Sequence, residues 1–439
     1  MMFRALAIAL ILSPLPAIGQ TVPAPAPAAP VVASEPLKAR LAELTVLFQG
    51  KGDYEAYFAP PFRAQVTKAQ IDQLIARLGG SLGPVTGVES VTLLSPWAAD
   101  FVLGFRDGTA TGRIAVDPNP PHQVQGLRLT GVTARAATID AVRSELRALP
   151  GATGFTLARL GDGAPQLVSA DNADRPFAIG SGFKLVILAE LIRATNAGER
   201  KWDDMVTLDG SPLPGGVYTQ QPAGTQVSLR ELASKMISIS DNSATDILLR
   251  HLGRARVEAM VRVTGIADPK GMTPFPSTLE IFKLKGIPGL AERWLARDAN
   301  GRRLMLDGEI AAAPIAAIST TLFQSGKPLM IDRLEWFATP ADMVRLMDWI
   351  RRNSASGAGA EARAILGINP GLVAPIAARW KSVGYKGGSE PGVIHMTLLL
   401  EGKDGSWWVL TGSWNNPAAA VDDARFAGLM SKAAELAAP

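Results

Sequence analysis

Two serines and two lysines, spread over three short motifs, are the residue types that acyl transfer requires. Ser181 precedes Lys184 by three positions. The run after Ser181 is apolar on almost every side, which predicts a central helix with Ser181 at its start and Lys184 one turn on. A serine hydroxyl needs a base, and a buried lysine with a lowered pKa can be that base. Taken alone, Ser181 is equally typical of a helix cap.

The second motif is Ser240-Asp241-Asn242, between the predicted helices Val227–Ile239 and Ala244–Leu252. A short polar turn at this place can aim a hydroxyl and an amide into a cleft. The alternative is plain capping of the following helix by Ser240 or Asp241.

The third motif is Lys386-Gly387-Gly388, followed by Ser389, at the end of a predicted strand. A lysine on an edge strand can bind a substrate carboxylate and lower the pKa of Lys184 through like charge. The two glycines allow close approach to the backbone. By itself this motif favours a hairpin bend.

In this order, the three motifs resemble those of class A β-lactamases and penicillin-binding proteins. Two flanks are also similar, Val227–Leu232 before the second motif and Thr339–Met343 at the start of the helix after the family's omega loop. The resemblance covers about 139–438. It implies an α+β fold, a β-lactamase/transpeptidase-like sandwich of an antiparallel sheet and a helical cluster.

The resemblance also implies roles for the motif residues. Ser181 would attack an amide or ester carbonyl, Lys184 would take its proton, and Ser240, helped by Lys386, would relay a proton to the leaving group. The backbone N–H groups of Ser181 and Ser389 would form the oxyanion hole. The site residues are then Ser181, Lys184, Ser240 and Lys386 as catalytic groups, with Asn242, Gly388 and Ser389 binding substrate. No metal or cofactor is required.

Three departures from the family pattern bear on turnover. Gly387 stands where the family has a hydroxyl residue, which removes one hydrogen bond to a substrate carboxylate. The Glu-x-x-Leu-Asn motif, whose Glu activates the deacylating water, is missing between Ser240 and Lys386, and Glu335 has the wrong spacing for that role. Segment 265–332 is longer than the matching family segment and is expected to form a lid or an enlarged omega region.

Alternatives remain for the activity. The expected substrate is a β-lactam, an ester or a peptidoglycan-derived peptide. An esterase or D,D-peptidase, or a slow-turnover penicillin- or peptidoglycan-binding protein, fits the same residues. A Ser-His-Asp hydrolase using His251 or His395 is disfavoured, because neither histidine comes with a nucleophile-elbow motif.

The chain before residue 136 gives four further expectations. Met1–Gly19 has Arg4, an apolar run and a small-residue end, which predicts a cleaved signal peptide and a periplasmic or secreted protein. Residues 20–36 are rich in Pro and Ala and predict an extended linker. Residues 37–135 have helices followed by an antiparallel meander, which resembles the cone of nuclear-transport-factor-2 and ketosteroid-isomerase domains. Such a domain precedes the β-lactamase-like one in clavulanate-cluster hydrolases, and residues 136–439 would be that hydrolase domain.

Composition excludes several classes of protein. The 439 residues include no Cys, which rules out disulfides, Cys-based metal sites and a cysteine nucleophile. The net charge is +4 without Lys/Arg runs, so nucleic-acid binding is not indicated. After the first residues no apolar run is long enough to span a membrane. The sequence does not determine the oligomeric state.

Overall fold

The computed structural model describes residues 31–322 and 324–439. The predicted signal peptide and most of the predicted linker lie outside this range. The chain divides into two compact units, and the larger one contains Thr130–Pro439. Within the described range, no helix is long and apolar enough to cross a membrane.

The N-terminal part of the chain has helices followed by an antiparallel sheet, as the sequence predicts. Its first helix begins at Glu35, two residues earlier than expected, because the Ser34 hydroxyl accepts a hydrogen bond from the Leu37 N–H and Pro36 suits the first turn. The four strands pair in chain order. The elements are α1 (Glu35–Phe48), α2 (Tyr54–Tyr57), α3 (Pro60–Arg63), α4 (Lys68–Leu82), β1 (Val85–Ser95), β2 (Ala98–Phe105), β3 (Gly108–Val116) and β4 (Val124–Ala134).

The larger unit is built on a five-stranded antiparallel sheet. The strands of the whole unit are β5 (Ala152–Leu160), β6 (Gln166–Asp171), β7 (Phe177–Ala178), β8 (Met205–Thr207), β9 (Gln226–Ser228), β10 (Phe337–Ala338), β11 (Ser382–Glu390), β12 (Val393–Glu401) and β13 (Trp407–Asn415). Of these, β7 pairs with β10 and β8 pairs with β9 in two small sheets, and the other five form the main sheet. The sheet order is β11-β12-β13-β5-β6. Strands from the two ends of this unit thus form one antiparallel sheet, as the resemblance implies, and β11 lies at its edge.

Helices cover both faces of this sheet. They are α5 (Ile139–Arg147), α6 (Lys184–Asn196), α7 (Leu229–Ser238), α8 (Asn242–Leu252), α9 (Arg254–Val263), α10 (Thr278–Gly286), α11 (Leu290–Leu295), α12 (Ala299–Met305), α13 (Pro340–Asn353), α14 (Glu361–Gly367), α15 (Ala374–Ala377) and α16 (Asp423–Ala437). Side chains alternate across each strand, so Leu398 packs with α5 and α16 while Leu399 packs in the core around α6.

The first turns of α6 are surrounded by protein on every side, as their apolar sequence predicts. Leu185, Val186, Ile187 and Leu188 are all fully buried. The long segment 265–332 contributes α10, α11 and α12, and its Phe275 and Trp294 are buried in the same core. These side chains make the segment part of the packed helical layer.

Candidate active site

Ser181 lies in a short 3₁₀ turn, Gly180–Phe183, directly before α6. The cap position of α6 is Phe183, and no side chain there bonds to the helix. The interpretation of Ser181 as a helix cap is therefore wrong. Gly180 has φ +46°, a conformation that glycine adopts without strain, and it turns the chain so that Ser181 remains partly exposed.

Lys184 is completely buried and points at the second motif. Its Nζ donates to the Ser240 carbonyl oxygen at 2.7 Å, to Asn242 Oδ1 at 2.7 Å and to Ser240 Oγ at 3.2 Å. Burial lowers the pKa of Lys184 to about 7, against the opposing effect of the carboxylates of Asp246 and Asp241. Lys184 can therefore lose its proton near neutral pH and act as a base.

Ser240 is held in an uncommon backbone conformation between the side-chain nitrogens of two lysines. Its φ is +57°, which is rare outside glycine and clusters at functional sites. Ser240 Oγ lies 3.2 Å from Lys184 Nζ and 3.0 Å from Lys386 Nζ. The alternative of plain capping applies to Asp241, which accepts from Ala244 N–H at 2.8 Å at the start of α8. Capping by Asp241 leaves the Ser240 hydroxyl to link the two lysines.

Lys386 belongs to the extended strand β11, paired residue by residue with β12, so the hairpin bend is wrong. Its side chain is buried and also donates to the Gly387 carbonyl. Burial, followed by the positive charge of Lys184, lowers the pKa of Lys386 well below its ordinary value. The expected like-charge effect is thus present on Lys386, whereas the pKa of Lys184 falls mainly because that side chain is buried.

Gly388 brings β11 into direct contact with the Ser181 turn. A Cβ at this position would lie 2.1 Å from the Ile179 carbonyl oxygen and 2.4 Å from Ser181 N. A Cβ on Gly180 would lie 3.1 Å from Ser389 N. The segments that carry the amides of Ser181 and Ser389 therefore lie against each other, as an oxyanion hole made from both would require.

Gly388→Ala should consequently disturb the site more than an ordinary glycine substitution on the same strand. The added methyl has no room, so β11 or the Ser181 turn must shift. We expect labelling by a fluorescent penicillin to slow by about 10²-fold, the scale of losing one oxyanion donor. Gly384→Ala is the matched control, because its nearest contact is the Leu366 side chain at 3.1 Å. Equal labelling of both variants would contradict this account.

Tyr385 is a residue of this region that sequence reasoning missed. A Cβ on Gly387 would lie 2.1 Å from the Tyr385 hydroxyl oxygen, so the phenol takes the space that a Thr or Ser side chain would need. This gives a physical reason for the glycine. Alternation along a strand places residues i and i+2 on one face, which is the signal that connects Tyr385 with Gly387.

The two histidines are not arranged for a Ser-His-Asp site with Ser181. His395 is buried with Nδ1 2.8 Å from Ser413 Oγ and Nε2 2.7 Å from Thr397 Oγ1. Burial and the charge of Lys386 lower its pKa to about 3. Both ring nitrogens thus face hydroxyls other than that of Ser181. His251 lies at the far end of α8 from Ser240.

Glu335, considered as an activator of the deacylating water, is engaged elsewhere. It is buried, and Lys285 Nζ contacts its Oε1 at 2.7 Å. Its Oε2 accepts from the Trp336 N–H at 3.2 Å. Among the residues that the structure describes, no group of three or more His, Asp or Glu side chains is arranged to hold a metal ion.

Several solved structures are similar to about two thirds of this chain. A β-lactamase from Sphaerobacter thermophilus is 22% identical with a TM-score of 0.47, over 67% of this chain and 94% of that one. A β-lactamase from Chitinophaga pinensis is 17% identical with a TM-score of 0.47, over 68% and 96%. PBP-A is 17% identical with a TM-score of 0.45, over 68% and 93%. No curated protein is significantly similar to the chain.

The sequence profile of one family matches the chain directly. The Beta-lactamase enzyme family matches residues 135–368, which is more than half of the 439 residues. The matched range includes Ser181, Lys184 and Ser240, while Lys386 follows it. The chain therefore belongs to the Beta-lactamase enzyme family.

Proposed function

We propose that this protein is a serine hydrolase that forms an acyl-enzyme on Ser181 with a β-lactam or a related ester or amide. The observation that carries the proposal is the position of Ser240 Oγ, 3.2 Å from Lys184 Nζ and 3.0 Å from Lys386 Nζ. One hydroxyl between two buried amines supplies a proton path beside the partly exposed Ser181.

In the first half-reaction, neutral Lys184 takes the proton of the Ser181 hydroxyl as Oγ bonds to the substrate carbonyl carbon. Negative charge develops on the carbonyl oxygen, and the amides of Ser181 and Ser389 donate to it. The carbon–nitrogen or carbon–oxygen bond of the substrate then breaks. The leaving atom receives a proton from Ser240, which regains one from Lys184. Asn242, whose Oδ1 is engaged by Lys184, presents its amide nitrogen to the substrate side chain.

In the second half-reaction, water attacks the acyl carbonyl and returns the proton to Ser181. Lys386 is the group we assign to a substrate carboxylate. The Tyr385 phenol fills the space of a Gly387 side chain on the opposite face of β11, where Tyr385 packs against the core that contains α5 and α16 residues.

A protein that acylates but turns over slowly is the second candidate. It is favoured by the engagement of Glu335 by Lys285, which withholds that carboxylate from a hydrolytic water. An esterase or D,D-peptidase is consistent with the same four catalytic side chains. The proposal further places the protein in the periplasm or outside the cell, with residues 37–135 forming a nuclear-transport-factor-2-like accessory domain.

A fluorescent penicillin gel combined with nitrocefin and small-ester assays tests the proposal. An acylating enzyme is expected to label and to hydrolyse at least one of the two chromogenic substrates. A binder without chemistry gives no label that survives denaturation. Ser240→Ala serves as the comparison, because it removes the proton relay and leaves Ser181 and both lysines in place.

A further inference from the structure

A buried cluster of one lysine and two glutamates lies beside the candidate active site. Lys285 Nζ of α10 contacts Glu335 Oε1 at 2.7 Å and Glu390 Oε1 at 2.6 Å. The exposed fractions of the side chains are 0% for Lys285, 3% for Glu335 and 11% for Glu390. Buried charges are costly unless they are paired, so one ammonium here compensates two carboxyl groups, and the mechanism above uses none of the three.

The first carboxyl group belongs to the strand that carries one of the two oxyanion amides. Glu390 directly follows Ser389 at the end of β11. Because β11 is an edge strand, β12 pairs with it on one side only. One face of β11 meets the Ser181 turn at Gly388.

The second carboxyl group belongs to the segment that supports the Ser181 turn from the other direction. Glu335 directly precedes Trp336, whose carbonyl accepts from Ile179 N–H at 3.0 Å. The Trp336 ring stacks on Phe183 at a centroid distance of 3.8 Å. Glu335 is therefore the direct chain neighbour of Trp336, the residue that contacts both ends of the turn containing Ser181.

We propose that Lys285 is a positioning residue for acyl transfer, whose ammonium ties Glu390 to Glu335 and so fixes the Ser389 N–H beside the Ser181 turn. This inference rests on the proposed function, because an oxyanion hole matters only if Ser181 is acylated. The proposal gives segment 265–332 a role in the chemistry, because α10 of this segment carries the ammonium that joins β11 to the segment containing Glu335 and Trp336.

The charges of the cluster explain why removal of Lys285 loosens the link. Burial alone would lower the pKa of Lys285, but the two carboxylates reverse this and raise it, so the ammonium stays charged. Burial and the neighbouring Glu335 raise the pKa of Glu390 well above its ordinary value. Glu390 also shares a hydrogen bond with Glu335. Without the ammonium, these two carboxyl groups lose the cation that compensates their charge, they repel each other when both are ionised, and the link between β11 and the Trp336 segment weakens.

Lys285→Met tests the proposal, and Lys283→Met is its matched control. Lys283 lies on the same helix and is equally buried, but its Nζ donates to the carbonyls of Ile310 and Ala311, away from β10 and β11. We expect Lys285→Met to lower the maximal acylation rate about 10- to 100-fold without raising the KM, since a displaced oxyanion donor acts only in the transition state. The maximal acylation rate of Lys283→Met should remain within about twofold of the parent rate.

Hydrogen–deuterium exchange of the peptide containing residues 386–391 provides a readout independent of chemistry. It should be faster in Lys285→Met than in the parent or in Lys283→Met. Lys285→Met can leave two carboxyl groups without their partner and fail to fold. The triple variant Lys285→Met, Glu335→Gln, Glu390→Gln then removes the buried charges without restoring the lysine link. Slower acylation and faster exchange are expected for it as well.

Matching acylation and matching exchange in the two lysine variants would overturn the proposal. So would faster exchange with an unchanged acylation rate, because the ordering of β11 would then not matter for the chemistry. If no probe acylates the parent protein, the proposed function fails by itself, and the exchange comparison still decides whether Lys285 fixes this end of β11.

Discussion

Lys184→Met should lower the rate of Ser181 acylation by about 10³-fold, the scale of general-base assistance to a serine nucleophile. In the parent, the rate should rise with pH and reach half its maximum near pH 7. The pKa of Lys184 is lowered to about 7, and only the neutral amine, which predominates above this pH, can accept the Ser181 proton. Stopped-flow acylation between pH 5 and 9 measures both quantities.

Methionine is the appropriate replacement because it fills the volume of a fully buried lysine without a charge. Stability supplies the check that the protein still folds. Since folding lowers the pKa of Lys184, the unfolded chain holds a proton that the folded one has lost between about pH 7 and pH 10. The parent should therefore gain stability relative to Lys184→Met as pH rises through this window, by at most about 1.4 kcal/mol per pH unit. A variant that folds and acylates like the parent would show that another group is the base.

Penicillin should accumulate on Ser181 as an acyl-enzyme, with acylation faster than release. Hydrolysis of a serine ester needs an activated water, and general-base help is typically worth ~10²–10⁴-fold. Glu335 is held by Lys285 at 2.7 Å, while Lys184 and Lys386 both contact the Ser240 hydroxyl. Small esters with good leaving groups should be processed more readily than penicillins.

A rapid burst followed by slow steady turnover in stopped-flow, with the adduct visible by mass spectrometry of the quenched enzyme, is the expected result. Rapid steady turnover without a detectable adduct would mean that another residue activates the water. Glu335→Gln then serves as the control, because a loss of turnover in that variant would identify this carboxylate as the base.

Much of the architecture follows from local patterns in the sequence. The antiparallel strands that follow the first helices are indicated by the sequence and present in the structure, and the nearly all-apolar run after Ser181 correctly predicts that α6 is central. The Thr339 side chain caps α13, as the resemblance at that position implies. These signals work because they depend on neighbours along the chain.

Features that depend on distant residues were not accessible in this way. Extended pairing of Lys386-Gly387-Gly388 along β12 overrides the bend that two glycines favour. The path of segment 265–332 is determined by the burial of Phe275 and Trp294 in the helical core. Glu335 and Glu390 follow Lys285 by 50 and 105 residues along the chain, so no local pattern connects the three.

Intact-protein mass spectrometry after exposure to penicillin tests the central claim most directly, with the parent protein and Ser181→Ala compared side by side. The account predicts that the parent gains the mass of one penicillin, that peptide mapping places it on Ser181, and that Ser181→Ala folds normally and gains nothing. An adduct of the same mass on Ser181→Ala, or on a different residue of the parent, would contradict the assignment of Ser181 as the nucleophile.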